Sequence, residues 1–366
     1  MLTVATVSLV VLLIGICLLA ALIAGIRVLR TLRDRRRAAL AEGPRRALLA
    51  FVADGGEQGA DELVAIGARA WQAAEPAAIA LLGKVRGEAQ QALIAVFERR
   101  GVATRAMRDL TAHGVTRRAR AVEVLGNLER ADAVPALCQL LDDRHSAVRV
   151  VAVRALGRIG DPAAAPYLIA SLARAEPTPA LLVTQALAQL GAGGEPTLQA
   201  ALDHSLPRVR AGALDALGLL GATGTVARVA AVLRDDPHLD VRVAAVSTLG
   251  RFSTRAALAP LVDALDPAHP GVLRAAAAHA LGELGAPAAV APLAGLLTDP
   301  RYRVAHEAAH ALRRLGTAGL RQLRTVAADD AAPGADHARE ALALAAITAG
   351  SPDPAAAPTQ SLAVTA

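Results

Sequence analysis

Apolar and polar positions alternate along this chain with a helical period, and the helical pattern itself recurs. The fragments "VRVVAVRALGRIG", "VRAGALDALGLLG", "VRVAAVSTLGRF" and "LRAAAAHALGELG" superpose on a leucine followed by glycine. Extending that register gives one anchor per unit, Leu93, Leu125, Leu156, Leu187, Leu217, Leu249, Leu281, Leu312 and Leu342, spaced 30 to 32 residues apart. A period of this length held over so many units marks a stack of supersecondary repeats, in which each unit completes its core on its neighbours. Ahead of the anchor, small residues at three-residue spacing (Ala152 and Ala155, Ala213 and Ala216, Ala277 and Ala280) form a helix face that admits a close neighbour. Three residues after it comes another apolar position: Leu128, Ile159, Leu190, Leu220, Phe252, Leu284 or Leu315. Glycine often follows, suited to a left-handed helix stop. A second helix then buries Leu137 and Leu141, Leu168 and Leu172, Leu261 and Leu265, or Leu293 and Leu297. The pattern predicts an all-α solenoid of about eight to nine helical hairpins over residues 85–348.

The amino end follows another rule. Residues 1–26 carry no ionisable side chain, and residues 4–26 are almost wholly apolar, the length a bilayer core requires. This predicts a transmembrane helix in residues 1–26, followed by a basic juxtamembrane segment, 27–46. A cleaved signal peptide needs positive charge before the apolar run, and here the arginines come after it. By the positive-inside rule the amino terminus lies outside and the repeats in the cytoplasm, at a cell (inner) membrane. Residues 47–84, with Trp71, read as a helical cap; residues 349–366, "AGSPDPAAAPTQSLAVTA", have too little bulky apolar surface to pack and are expected to be disordered.

Charge and composition narrow the functions. The formal net charge is +6, and it resides in residues 1–46, where eight arginines face only Asp34 and Glu42. The remainder is neutral, and the chain holds one Trp, two Tyr and three Phe. Neither a basic groove nor stacking aromatics are available, so no nucleic-acid partner is expected. Two cysteines, Cys17 and Cys138, build neither a disulfide framework nor a cysteine metal site, and Cys138 falls on an apolar stripe beside Leu137 and Leu141. No phosphate loop or dinucleotide fingerprint occurs.

The stretches "ALGRIGDPAAAPYLIASL" and "LGELGAPAAVAPLAGLLTDPRYRVAHEAAHAL" resemble HEAT repeats, of the short kind found in the phycobilisome lyase family. The resemblance covers about residues 85–345 and implies a solenoid fold while saying little about activity. An arginine recurs seven residues before the anchor (Arg86, Arg118, Arg149, Arg210, Arg242, Arg274), with Asp143, Asp236 and Asp299 thirteen before. This is similar to the Asp–Arg ladder of HEAT proteins, which implies a structural role at the turns rather than a phosphate-binding row.

His306-Glu307-Ala308-Ala309-His310 fits H-E-x-x-H, in which two histidines one turn apart hold zinc and the glutamate works on a bound water. His306, Glu307 and His310, with His279 one repeat earlier, are therefore the candidate metal residues. The extended form of the motif wants glycine where Arg313 stands, and no third ligand follows in the sequence. The same stretch resembles a repeat of deoxyhypusine hydroxylase, which implies a di-iron site ligated by several His-Glu pairs. Only His306-Glu307 matches; the equivalent positions include Ala211-Gly212, Val243-Ala244 and Ala275-Ala276. The match is read as a coincidence of the repeat, with no catalytic residue, cofactor or small-molecule substrate expected.

What remains is a surface. Two residues before and two after the anchor the chain is mostly polar, and in a solenoid these positions line the concave face. Glu123, Arg154, Arg158, Gln185, Asp215, Arg251, His279, Glu283, His310 and Arg314 form a mixed-sign stripe suited to a protein partner. The expected function is a membrane-anchored cytoplasmic scaffold or adaptor for membrane-associated protein partners, with regulation of a membrane-associated enzyme complex as one form of it. A metal-dependent enzyme centred on His306, Glu307 and His310, or a HEAT-like lyase, is the alternative.

Overall fold

A computed structural model of the chain describes residues 38–56, 59–174 and 178–350, with scattered residues between 19 and 36 and without the side chains of 348–350. Every described element is helical. The chain divides into two compact units, Met1–Ala133 and Val134–Ala366. The first contains α1 (residues 38–53), α2 (Ala60–Ala65), α3 (Ala68–Leu82), α4 (Glu88–Arg99), α5 (Val102–Asp109) and α6 (Val115–Asn127). The second contains α7 (Val134–Leu140), α8 (Ser146–Ile159), α9 (Ala165–Leu172), α10 (Ala180–Gln189), α11 (Glu195–Ala201), α12 (Pro207–Leu220), α13 (Val226–Asp235), α14 (Leu239–Phe252), α15 (Leu258–Asp263), α16 (Gly271–Leu284), α17 (Val290–Gly295), α18 (Tyr302–Arg314), α19 (Gly316–Ala327) and α20 (Ala335–Gly350).

In the first unit, Trp71 of α3 is sealed against Phe97 of α4, ring centroids 5.5 Å apart in an edge-to-face pair. Arg100 lies over the indole at 4.2 Å and donates to the carbonyls of Leu63, Val64 and Ile66 at 2.7–2.8 Å, closing the carboxyl end of α2. The expected boundary between residues 46 and 47 falls inside α1.

In the second unit each odd-numbered helix pairs with the even-numbered one that follows it, and successive even helices stack. All anchors from Leu93 to Leu312 are fully buried, as are Leu137, Leu168, Leu261 and Leu293 of the odd helices, because the two apolar faces of each hairpin meet there. Leu342 in α20 is only half-buried, since no described helix follows to cover it. The left-handed stop four residues after the anchor is real. Gly221 and Gly285 adopt φ of 71° and 68°, and the same position keeps positive φ where it is Glu129 (51°) or Ser253 (49°). The stacking geometry thus imposes a backbone state that these two side chains resist locally.

The glycine directly after the anchor works differently. A Cβ on Gly282 would lie 2.7 Å from Ala311 Cα and 2.9 Å from its Cβ, and one on Gly157 would lie 2.8 Å from Ala186 Cα. These glycines set how closely α8 approaches α10 and α16 approaches α18. Gly282→Ala gains about 1 kcal/mol of helix propensity and loses about 1–3 kcal/mol to overpacking. We expect it to lower the urea midpoint, whereas Gly295→Ala, at an exposed site with nothing within 4 Å, should leave the midpoint unchanged or raise it.

The expected transmembrane span, residues 4–26, lies almost entirely outside the described residues; the tail expected from residue 349 begins inside α20, which runs to Gly350, and from 351 it too lies outside them. Among the described residues no helix is long and apolar enough to cross a membrane.

Candidate functional site

Of the recurrent arginines, Arg118, Arg149, Arg210 and Arg274 are buried and Arg242 is half-buried, whereas Arg86 is exposed and bonds only its own loop. Each reaches a backbone carbonyl at or near the end of the helix before its own: Val85 for Arg86, Ala112 for Arg118, Asp143 for Arg149, His204 for Arg210, Leu233 for Arg242 and Pro267 for Arg274. Arg210 and Arg274 also clasp the acid of the next turn. Arg210 grips Asp236 with two bonds of 2.6 and 2.9 Å, and Arg274 meets Asp299 at 2.8 Å. Burial pushes the Asp236 carboxyl up, but Arg210 and the His238 amide outweigh it and hold the group below the usual aspartate value. Arg242 finds His269 at 3.0 Å where the ladder acid is missing. The guanidinium groups of Arg210, Arg242 and Arg274 thus tie one hairpin to the next. Cys138 is likewise a core residue, its thiol pushed up to about 11 by burial.

The polar stripe stands clear of the core. Glu123 in the first unit, and Arg154, Arg158, Gln185, Arg251, Glu283 and Arg314 in the second, are exposed, while Asp215, His279 and His310 are half-buried. Asn127, two after its anchor, departs from the expectation: it is buried and its amide is turned towards the Ile79 carbonyl at 3.4 Å. Some stripe residues neutralise one another across neighbouring helices, as Arg251 does Asp215 at 3.6 Å. Burial raises the Asp215 pKa, and Arg251 only partly reverses this. Arg154 and Arg158 lie one turn apart on α8 and make no hydrogen bond or ion pair among the described residues. A groove of about 460 Å³ opens between α14, α16 and α18, walled by Ser247, Arg251, His279, Glu283 and Glu307.

The four candidate metal residues do not converge as one group. Glu307 turns back to α16, where His279 Nδ1 lies 3.2 Å away, and His279 Nε2 is 3.4 Å from Glu283. His306 turns forward to α20, its Nδ1 3.4 Å from Glu340 Oε2. The H-E-x-x-H string is thus split between two neighbours, because residues adjacent in a helix project about 100° apart. This also separates the pair that would be needed for hydroxylase-like ligation. His310 lies beside His306 with ring centroids 4.4 Å apart and planes tilted by 54°, and burial, then His306 and Arg313, lowers its pKa.

In place of the expected set, His306, His337 and Glu340 bring one ligand atom each to within 4.8 Å of one another. Tyr302 stacks on His306 at 5.5 Å and meets His337 edge-on at 4.9 Å. His337 and Tyr302 are absent from the sequence reading, which compares matched columns of neighbouring repeats, and neither residue falls in the column of His306 or His310. The available signal was the pair of same-face patterns, His306/His310 and His337/Glu340, one repeat apart.

A family model described as HEAT repeats matches residues 115–189, 194–282 and 268–343, more than half of the chain. The HEAT repeat-containing taxis protein of Halobacterium salinarum is 31% identical over 152 residues, 41% of this chain and 34% of the relative. The chain therefore spans about a third of the length of that relative. Among solved structures, a mutant of the karyopherin Kap121p aligns over 88% of this chain and 42% of its own, with 13% identity and a TM-score of 0.54. Kap121p bound to the SUMO protease Ulp1p aligns over 77% of this chain and 38% of its own, with 13% identity and a TM-score of 0.51. The CpcE–CpcF phycocyanin lyase complex from Nostoc sp. is 23% identical over 61% of this chain and 92% of its own, with a TM-score of 0.32.

Proposed function

Because the chain belongs to the HEAT-repeat family, we propose that it is a docking scaffold whose even-numbered helices present the stripe to a protein partner. The observation that carries this reading is the exposed pair Arg154 and Arg158, which has no ion-pair partner among the described residues. Charges held outside the core at fixed spacing select a partner of opposite pattern and speed its encounter. The Kap121p–Ulp1p complex supports the reading in one respect: a helical array of similar fold is there bound to another protein.

The apolar run of residues 4–26 and the arginines behind it add a membrane anchor to the proposal, with the repeats on the cytoplasmic side. A fixed array beside a bilayer suits assembly or regulation of a membrane-associated complex, and the taxis role in the relative's name fits such a setting. Reversing Arg154, Arg158 and Arg251 to glutamate in the full chain should abolish in-cell cross-linking to the partner that the unaltered chain captures, without changing its helical content. Undiminished capture of that partner would remove this surface from the function.

A further inference from the structure

We infer that His306, His337 and Glu340 form a transition-metal site of the zinc class, and that the ion clasps α20 to α18. This site shares only His306 with the motif seen in the sequence, and it does not rest on the docking reading.

Three observations converge. The ligand set is complete enough: two imidazoles and a carboxylate lie with one donor atom each inside 4.8 Å, from two helices that pack directly. Zinc bonds to nitrogen and oxygen are about 2.0–2.1 Å, so donors around one tetrahedral ion sit about 3.3 Å apart. The separation of His306 Nδ1 from Glu340 Oε2, 3.4 Å, already matches that edge. His337 has to close the remaining gap, a matter of side-chain rotation, since His337 and Glu340 share a face of α20 at three-residue spacing.

The second observation is an unused nitrogen. His306 Nδ1 is shielded from solvent and makes no hydrogen bond, although the Glu340 oxygen is near. A buried polar atom without a partner costs free energy. A cation between the nitrogen and the carboxylate satisfies both, and the Glu340 carboxylate supplies the negative charge that helps such a site hold a dication.

The third is the setting. Tyr302 lies against both imidazoles and lines one side of the site. Two nitrogens and one carboxylate oxygen favour zinc, cobalt, nickel or copper over calcium or magnesium, which demand oxygen shells. Three protein ligands leave a fourth position for water. The mechanical consequence follows from the topology: α20 has a stacked partner on one side only among the described helices, and the ion would add a second bond between it and α18.

The test uses the full 366-residue chain, stripped with chelator and titrated with zinc chloride or cobalt chloride alone. One equivalent should bind, with the intense visible absorption of four-coordinate cobalt, and hydrogen exchange in α20 should slow. His337→Ala and the near-isosteric Glu340→Gln should each weaken binding by about tenfold or more and abolish the slowing. His279→Ala, which alters the other histidine–carboxylate group, should change neither. Failure to bind one equivalent would overturn the site, as would retained affinity in the His337→Ala/Glu340→Gln double variant. Binding without protection of α20 would overturn the clasp.

Discussion

Arg274→Met is expected to destabilise the hairpins around α16 and α18 by about 3–5 kcal/mol, the usual result of stranding one member of a buried ion pair. Both side chains of the Arg274–Asp299 pair are only 5% exposed, so Asp299 would be left charged in a site where little water can reach it. Methionine keeps most of the arginine stem and its packing, which confines the loss to charge and hydrogen bonding. The same change at Arg251, whose pair with Asp215 is 44% exposed on both sides and 3.6 Å long, should cost less than about 1 kcal/mol. A second substitution tests the cause. Asp299→Asn removes the charge yet retains an oxygen for the Arg301 amide, which Asp299 now accepts at 2.9 Å. Combined with Arg274→Met it should restore part of the stability, and a purely additive double variant would mean that the stranded charge is not the source. Urea unfolding followed by hydrogen exchange in residues 271–314 gives the measurement.

The repeat, its hairpins and its core were legible because they rest on periodicity. A leucine every 30 to 32 residues can be sealed repeatedly only by stacked copies of one motif, and burial of Leu93 through Leu312 is the consequence. The Asp–Arg ladder was legible for the same reason. What the pattern could not reveal is where one side chain finds its partner in the next repeat. Sequence order places Glu307 between His306 and His310, whereas the helix sends it to His279 and leaves His306 for Glu340. A one-residue drift matters as well. His337 lies five residues before its anchor and His306 six before, so matched-column comparison does not pair them, although the packed helices bring them to one place. The glycine after the anchor was visible only as an alignment mark. Its role, admitting the Ala311 backbone beside Gly282, depends on interhelical distance and has no local signature.

The nine anchors offer a sharper test, because the sequence presents them as equivalent and the structure does not. Leu281→Ala should cost about 2–5 kcal/mol, the transfer term for the lost methyl and methylene groups plus the cavity they leave. Leu281 is fully buried, and the small residues around it, Ala277, Ala278 and Ala280, have no side-chain length with which to fill the space. Leu342→Ala removes the same atoms from a half-buried position whose outer side faces no described helix, so water or side-chain motion fills the gap and the cost should stay near or below 1 kcal/mol. In a stacked array each unit contacts mainly its neighbours, so a defect need not lower the stability of the whole chain uniformly. Exchange should therefore accelerate in α14, α16 and α18 for Leu281→Ala and stay confined to α19 and α20 for Leu342→Ala. Equal losses at the two leucines would mean that Leu342 is covered by a further partner. Uniform acceleration along the second unit would mean that it unfolds as one block rather than repeat by repeat.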